Sequence, residues 1–235
     1  QATGSGAGQT GGRIVTTGKN VTLASGSVTD ASGAAGGGQV LVGGGWQGKD
    51  ATIATAGSVT QQAGAAIKVD ATANGTGGTA VLWSADATRM DGTISARGAG
   101  SGTGGQVETS SKGVLGLGGN VDVAADSGKG GNWLLDPANL DVTTTGSALV
   151  GNTNGTNNTV SNTSIQTALN AGGTTVTLQA DTLITVNADI SKTAGSASTL
   201  TFNSASGNIV VNNQISSIAG ALNINMGADA SQSGG

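Results

Sequence analysis

The sequence predicts an all-β protein, a parallel β-helix (solenoid) with one short α-helix. Three observations favour this fold class: paired glycines recur at near-constant spacing, short alternating apolar runs lie between them, and large side chains are scarce. Only 2% of the 235 residues are aromatic and 9% are charged, against roughly 25% charged in an average globular domain. Small apolar residues fill a thin, layered body more easily than a compact globule.

The glycine pairs begin at residues 11, 37, 77, 104 and 130, so successive steps are 26, 40, 27 and 26 residues. A period of about 20–50 residues is typical of repeat architectures. The longer step predicts an inserted loop or an extra partial turn. Because a glycine inside a strand costs about 0.5–1 kcal/mol relative to alanine, we expect the glycines at corners with positive φ or with closely approaching backbones.

A short strand is predicted after each glycine pair, and further strands between the pairs. In the first part of the chain these further strands are residues 20–24, 51–55, 66–71, 93–96 and 120–124. In the last part they are residues 175–178, 183–187, 199–202, 208–211 and 221–226. Apolar side chains two apart, including Ile209 and Leu222, are expected to face inward. At about 24 residues per layer, the chain would form about ten layers and a rod near 50 Å long.

The stretch of residues 130–142 divides two regions of different composition and contains the only proline, Pro137. Residues 1–150 are predicted to be a Gly-rich array ending in the Trp-Leu-Leu-Asp-Pro segment. Residues 151–235 are predicted to be an Asn/Thr-rich array that begins with a polar loop, 151–163, and a short helix, 164–170. Ile165 and Leu169 lie four apart in that helix, and Gly172 follows as a stop signal.

Composition excludes several kinds of function. The net charge is −4 and nine scattered Lys and Arg residues form no basic stripe, so no nucleic-acid partner is expected. No apolar run approaches the ~20 residues that span a bilayer. With no His, Cys or Tyr, a catalytic triad of the usual type and a thiol or imidazole metal site are excluded. We therefore expect no catalytic residue, no metal and no cofactor.

Several motifs resemble those of the filamentous-haemagglutinin-like large exoproteins. They are Gly-Gly-Gly-Trp-Gln-Gly-Lys-Asp at residues 43–50, Val-Leu-Trp-Ser-Ala-Asp at 81–86, Gly-Thr-Ile-Ser-Ala-Arg-Gly at 92–98, Gly-Gly-Gln-Val-Glu-Thr-Ser at 104–110, and Trp-Leu-Leu-Asp-Pro at 133–137. That family comprises giant surface adhesins of Gram-negative bacteria, exported by two-partner secretion. The resemblance implies a right-handed parallel β-helix at the cell surface, used for adhesion or biofilm cohesion. It also implies an outer-membrane transporter as export partner and a host-cell or matrix glycan or protein as receptor.

Three functions are therefore weighed. The leading hypothesis is a non-enzymatic rod segment of a secreted adhesin or biofilm-matrix protein. The first alternative is a self-assembling filament subunit, because no capping unit is recognisable at either end of the chain; excision from a longer array explains the same feature. The second is a carbohydrate-active β-helix enzyme, for which Asp86 and Asp91 around Arg89 are the only candidate pair. We expect those two aspartates to be solvated corner charges.

Candidate surface sites are few. Asn-x-Ser/Thr sequons stand at Asn20, Asn74, Asn154, Asn157 and Asn162, and adhesins of the same secretion route carry sugars at such sites. Of the three tryptophans, Trp83 and Trp133 lie in apolar runs and are expected in core or corner packing. Trp46 lies between Gly45 and Gln47 in a predicted loop and is the candidate for a surface aromatic contact.

Overall fold

The computed structural model describes residues 1–126, 129–146 and 158–227. The chain is mostly β, with one α-helix, α1 (Asn162–Asn170), and one 3₁₀ turn (Trp46–Gly48) in these residues. In chain order the strands are β1 (Arg13–Thr16), β2 (Asn20–Leu23), β3 (Val28–Asp30), β4 (Gln39–Val42), β5 (Ser58–Gln61), β6 (Ala66–Lys68), β7 (Thr79–Ser84), β8 (Ala87–Met90), β9 (Thr93–Ser95), β10 (Gln106–Ser111), β11 (Val114–Leu117), β12 (Asn120–Asp122), β13 (Asn132–Leu135), β14 (Asn139–Thr143), β15 (Thr159–Ser161), β16 (Thr175–Ala180), β17 (Leu183–Val186), β18 (Ile190–Lys192), β19 (Ser198–Ser204), β20 (Asn208–Val211), β21 (Ile215–Ser217) and β22 (Leu222–Gly227).

Strands three apart in the chain are neighbours in space, except where β15 is inserted between β11 and β14. The first sheet has the order β1-β4-β7-β10-β13-β16-β19-β22, the second β2-β5-β8-β11-β15-β14-β17-β20, and the third β3-β6-β9-β12, while β18 pairs with β21. The pairs of named strands are parallel throughout. The predicted all-β class with short parallel strands is therefore confirmed.

The strand register follows the glycine spacing. Successive partners along the first sheet are Arg13, Gln39, Thr79, Gln106 and Asn132, which repeat the steps between the glycine pairs. The sheet has eight strands, fewer than the ten layers expected. The long connection before β5, residues 43–57, takes up part of the difference.

The glycine pairs lie where backbones approach closely. A Cβ on the first glycine of a pair would come 1.7–2.1 Å from a carbonyl oxygen of the adjoining chain segment, as at Gly11, Gly37, Gly77 and Gly104. Real Cβ atoms do not approach so closely, so only glycine fits. We expected glycine either for positive φ or for close backbone approach. Close backbone approach is the reason at these four positions.

The core is a continuous stack of inward-facing side chains. On the first sheet the alternate residues Val40, Leu82, Val107, Leu178 and Phe202 are fully buried or nearly so and belong to one cluster. Trp133 is also fully buried, as predicted, and its Nε1 donates to Thr109 Oγ1 at 2.9 Å. Ile209 and Leu222 contact this cluster but are only half-buried.

After Pro137 the two eight-stranded sheets continue, but the third sheet ends at β12, and α1 and the pair β18 and β21 follow it. The helix α1 packs between β12 and β18, with Ile165 and Leu169 buried as predicted. Ser161 caps it by accepting a hydrogen bond from Thr163 N at 3.2 Å. No helix of the described ranges is long and apolar enough to cross a membrane.

Two parts of the secondary-structure prediction were wrong. Residues 51–55 form no strand, because Asp50 accepts hydrogen bonds from Thr52 N at 3.0 Å and Thr52 Oγ1 at 2.6 Å and so turns the chain. The predicted loop 151–163 contains β15, which pairs between β11 and β14, and the start of α1; its residues 151–157 lie outside the described ranges. Strands that the sequence did not predict, such as β3, β5, β8 and β21, are short and rich in Ser and Thr.

Candidate functional site

The connection between β4 and β5, which we call the 43–57 loop, covers part of the outer face of the first sheet. Leu41 and Val81 point outward there, where solvent would be expected, yet both are buried. With Ile53 of the loop they form a second small apolar cluster, and Trp46 and Trp83 pack against it. Burial of these side chains holds the loop on the sheet.

Glycines let the loop lie flat against the Trp83 indole. Gly48 has φ 64°, and a Cβ there would come 2.4 Å from Trp83 Cζ2. The adjacent residue, Gln47, has φ 51° and is the one non-glycine residue with positive φ in the described part of the chain. Such a conformation costs on the order of 1 kcal/mol, so other contacts of Gln47 must offset it.

Gln47 makes those contacts with two carboxyl groups of the sheet. Its backbone N–H donates to Glu108 Oε2 at 2.7 Å, and its Nε2 donates to Asp136 Oδ2 at 2.9 Å. Lys49 Nζ donates in turn to Gln47 Oε1 at 3.1 Å. One residue of the loop thus links strand β10 with the end of strand β13.

Glu108 is an ionisable group with no access to solvent. It lies beside Val81 in the register of the sheet, its exposure is 0%, and its Oε1 has no hydrogen-bond partner among the described residues. Burial raises the pKa of Glu108 to about 7; Asp136 nearby also raises it, and the Gln47 N–H, Ser110 and Lys49 act in the opposite direction. The group therefore changes charge near neutral pH.

Asp136 is half-buried at the end of β13. Burial, and to a smaller extent Asp181, raises its pKa, while Gln47, Gln179 and Lys49 lower it. The Gln179 amide approaches this carboxyl group, although its Nε2 makes no full hydrogen bond among the described residues. Asp136 N donates to Ser110 Oγ at 3.1 Å, which fixes the turn before Pro137.

This arrangement can hold a proton and bind the loop, but it cannot reach a substrate as it stands. The Glu108 carboxyl group is fully enclosed, so chemistry on an external molecule would require the 43–57 loop to leave the sheet. Among the described residues no cluster of three or more Asp or Glu side chains could hold a metal ion. These contacts attach the loop to the sheet, and we call the group of Gln47, Glu108 and Asp136 the latch.

The tryptophan proposed as a surface contact belongs to the same loop. Trp46 is half-buried because it packs on the cluster of Leu41, Ile53 and Val81. Part of its indole therefore remains available to a partner. Trp83, expected in core or corner packing, lies under the loop and is also half-buried.

The carboxylate pair considered from the sequence, Asp86 and Asp91, is not part of the group formed by Gln47, Glu108 and Asp136. Asp86 is exposed at the corner between β7 and β8. Asp91 accepts a hydrogen bond from Arg89 Nε at 2.5 Å, and the Arg89 side chain is 42% exposed. The expectation of a solvated corner charge therefore holds for Asp86, whereas the Asp91 side chain is only 19% exposed because it pairs with Arg89.

The described sequons differ in whether the side-chain nitrogen Nδ2 of the asparagine is hydrogen-bonded. Asn20 and Asn74 are exposed, and within the described ranges only the Oδ1 of each is hydrogen-bonded, accepting from Ser58 Oγ or from Ser101 N and Oγ. Asn162 Nδ2 instead donates to the Asp189 carbonyl at 2.8 Å from the first position of α1. Because a sugar is attached at Nδ2, the first two are the better acceptors. Asn154 and Asn157 lie outside the described residues.

One further buried charge has a structural explanation. Lys192 is fully buried, and burial lowers its pKa. Its Nζ donates to the carbonyl oxygens of Ala194, Gly195 and Ala219. Lys192 thus closes a corner between two strands and offers no free group to a ligand.

Sequence reasoning missed Gln47, Glu108 and Asp136 as a connected group. Their separations are 61 and 89 residues, and only the strand register brings them together. A usable signal was present in Leu41 and Val81, because apolar residues at outward positions of neighbouring strands indicate that something covers them.

No protein-family model matches this chain, and no curated protein shows significant sequence similarity to it.

Proposed function

We propose that this chain is a structural rod segment of a secreted, surface-displayed bacterial adhesin or biofilm-matrix protein, wound as a right-handed parallel β-helix. The observation that carries the proposal is the pairing of every third strand, in parallel, along an eight-stranded sheet. Crossover connections between parallel strands are right-handed in about 98% of cases. The resemblance of several motifs to those of the filamentous-haemagglutinin-like exoproteins supports the proposed location and export partner.

The mechanism of such a segment is mechanical. Each inner strand of the long sheets bonds to the strands on both sides, and the inward side chains stack in one continuous core. Extension then loads many backbone hydrogen bonds together, so the rod holds its surface loops at a fixed distance from the cell. The 43–57 loop is one such element.

Solution scattering tests the rod. Seven intervals of about 4.8 Å between eight strands give about 34 Å along the first sheet. We expect small-angle X-ray scattering of the isolated chain to give a uniform cross-section and a long axis of at least this length. A spherical particle would reject the β-helix.

Surface display tests the adhesin. The chain would be displayed on a non-adherent laboratory bacterium and compared with the same display scaffold alone, at matched surface amounts measured with an antibody. We expect increased attachment to cultured epithelial cells, to matrix-coated plates, or between the bacteria themselves. Unchanged attachment in all three assays by a folded, displayed chain would refute the proposal.

Two alternatives have specific observations in their favour. Exposed apolar side chains on β20 and β22, namely Val210, Val211, Ile224 and Met226, favour a self-assembling filament, and light scattering at rising concentration would reveal rods that lengthen. The raised pKa of Glu108, which lies close to the half-buried Asp136, favours the carbohydrate-active enzyme, in which the 43–57 loop would have to leave the sheet before a glycan could reach either carboxyl group. Release of reducing sugar that disappears in Glu108→Gln would establish that activity.

A further inference from the structure

A polar surface lies on the outer face of the first sheet beyond the 43–57 loop. We call it the Thr/Asn face and define it by Thr175, Thr177, Thr199, Thr201, Asn223 and Asn225. In the register of the sheet, Thr175, Thr199 and Asn223 form one row, and Thr177, Thr201 and Asn225 form the next. Inward side chains alternate with them, so all six point away from the core.

The side chains of this face have no internal hydrogen-bond partners among the described residues. Polar side chains on other sheets of the same region do pair across strands. Asn212 Nδ2 donates to Asn187 Oδ1 at 2.8 Å, and the Ser191 and Ser216 hydroxyls lie 3.3 Å apart. The Thr/Asn face therefore presents hydroxyl and amide groups, both donors and acceptors, that only solvent or a ligand can satisfy.

The face is also uncharged. Residues 158–227 contain three ionisable side chains, Asp181, Asp189 and Lys192, and none of them belongs to the face. A protein interface of ordinary composition would need aromatic, Met or Arg anchors at its centre, which these six residues do not supply. Nucleic acid and anionic polysaccharides would need cations. A partner that is itself neutral and rich in hydroxyl groups matches the face best.

We infer that the Thr/Asn face binds uncharged polysaccharide chains. Neighbouring strands place equivalent hydroxyl and amide groups about 4.8 Å apart, a spacing comparable with the length of one sugar ring, so an extended chain laid across the strands meets a new group at each residue. This inference rests on the proposed adhesin function and names the receptor class for it.

The test is affinity electrophoresis of the full chain through gels that contain hydroxyethylcellulose, barley β-glucan or galactomannan, with alginate and heparin as charged probes. The variant Thr177→Val/Thr201→Val removes two hydroxyl groups and keeps shape and β-propensity. Thr185→Val is the matched control, because Thr185 is a half-buried outward threonine of β17 on another sheet. Asn225→Ala, at an exposed position without internal bonds, is a second variant whose fold is not at risk.

We expect at least one neutral polysaccharide to retard the chain. Because each lost neutral hydrogen bond weakens binding roughly 2- to 12-fold, the double Val variant should bind about tenfold more weakly or worse. Asn225→Ala should be weakened to a smaller degree and Thr185→Val should be unchanged. Absence of retardation by every neutral probe, equal retardation of all variants, or retardation by alginate or heparin alone would overturn the inference. If cell attachment persists in any of these cases, the adhesin proposal stands and only the polysaccharide-binding inference falls.

Discussion

Replacing Glu108 by glutamine should remove most of the pH dependence of this protein's stability between pH 4.5 and 7.5. In the wild type, burial raises the pKa of Glu108 from 4.5 to about 7. The folded state therefore holds a proton that the unfolded chain releases above pH 4.5. The contribution of Glu108 to stability is fully present below pH 4.5 and is lost as the pH rises through about 7.

The size of this effect follows from the shift. A rise from 4.5 to about 7, at about 1.4 kcal/mol per pKa unit, corresponds to about 3 kcal/mol. That is a large fraction of the ~5–15 kcal/mol stability of a typical domain. Glutamine keeps an acceptor for the Gln47 N–H and carries no charge, so Glu108→Gln should be the more stable protein at pH 8.

Urea unfolding at pH 5 and pH 8, followed by tryptophan fluorescence, measures this difference. Trp46 of the 43–57 loop and Trp83 beneath it pack on the cluster of Leu41, Ile53 and Val81, so the signal reports on the region that changes. Asp86→Asn, at an exposed carboxylate, is the control and should retain the wild-type pH dependence. The reasoning is refuted if Glu108→Gln loses as much stability between pH 5 and pH 8 as the wild type does.

Other changes test the packing and the surface. Gly104→Ala places a Cβ 1.8 Å from a carbonyl oxygen and should cost about 2–4 kcal/mol in chemical denaturation, whereas Gly18→Ala, whose nearest neighbour would be 3.8 Å away, should stay within about 0.5 kcal/mol. Leu178→Asn puts an amide into the fully buried core and should cost about 4 kcal/mol; an unchanged melting temperature would contradict the inward orientation. In a host that glycosylates sequons, mass spectrometry should find sugar on Asn74 and none on Asn162, and the reverse pattern would show that the Nδ2 contacts do not decide accessibility.

Much of the strand arrangement could be predicted from local sequence, because close backbone packing leaves a direct mark on it. Only glycine fits where Gly37, Gly77 and Gly104 meet the adjoining backbone, so the glycine pairs repeat with the register of the first sheet. The helix α1 was predictable for a similar reason, since Ile165 and Leu169 lie on one face of it. Strands such as β5 and β8, which carry little apolar alternation, depend on their neighbours and could not be predicted from their own residues.

The latch at Gln47 could not be predicted because it depends on contacts between distant segments. Gln47 donates to Glu108 and Asp136 only after the loop has folded back over two strands. The positive φ of Gln47 is equally invisible in the sequence, because glutamine has no preference for that conformation. The motif of residues 43–50 is recognisable in the sequence, but its role in covering the sheet depends on the apolar surface beneath it.

The outer face of the first sheet is divided by this loop into two surfaces of opposite character. Under the loop the row consists of Leu41, Val81 and the enclosed carboxyl group of Glu108, all closed to water. The same row continues through Leu134 to Thr177 and Thr201, which are polar and half-buried. An exposed apolar sheet face would promote association with other chains, so the loop and its latch protect the sheet at Leu41 and Val81. Where the side chains are hydroxyl and amide groups no cover is needed, and that part of the sheet is free to meet a ligand.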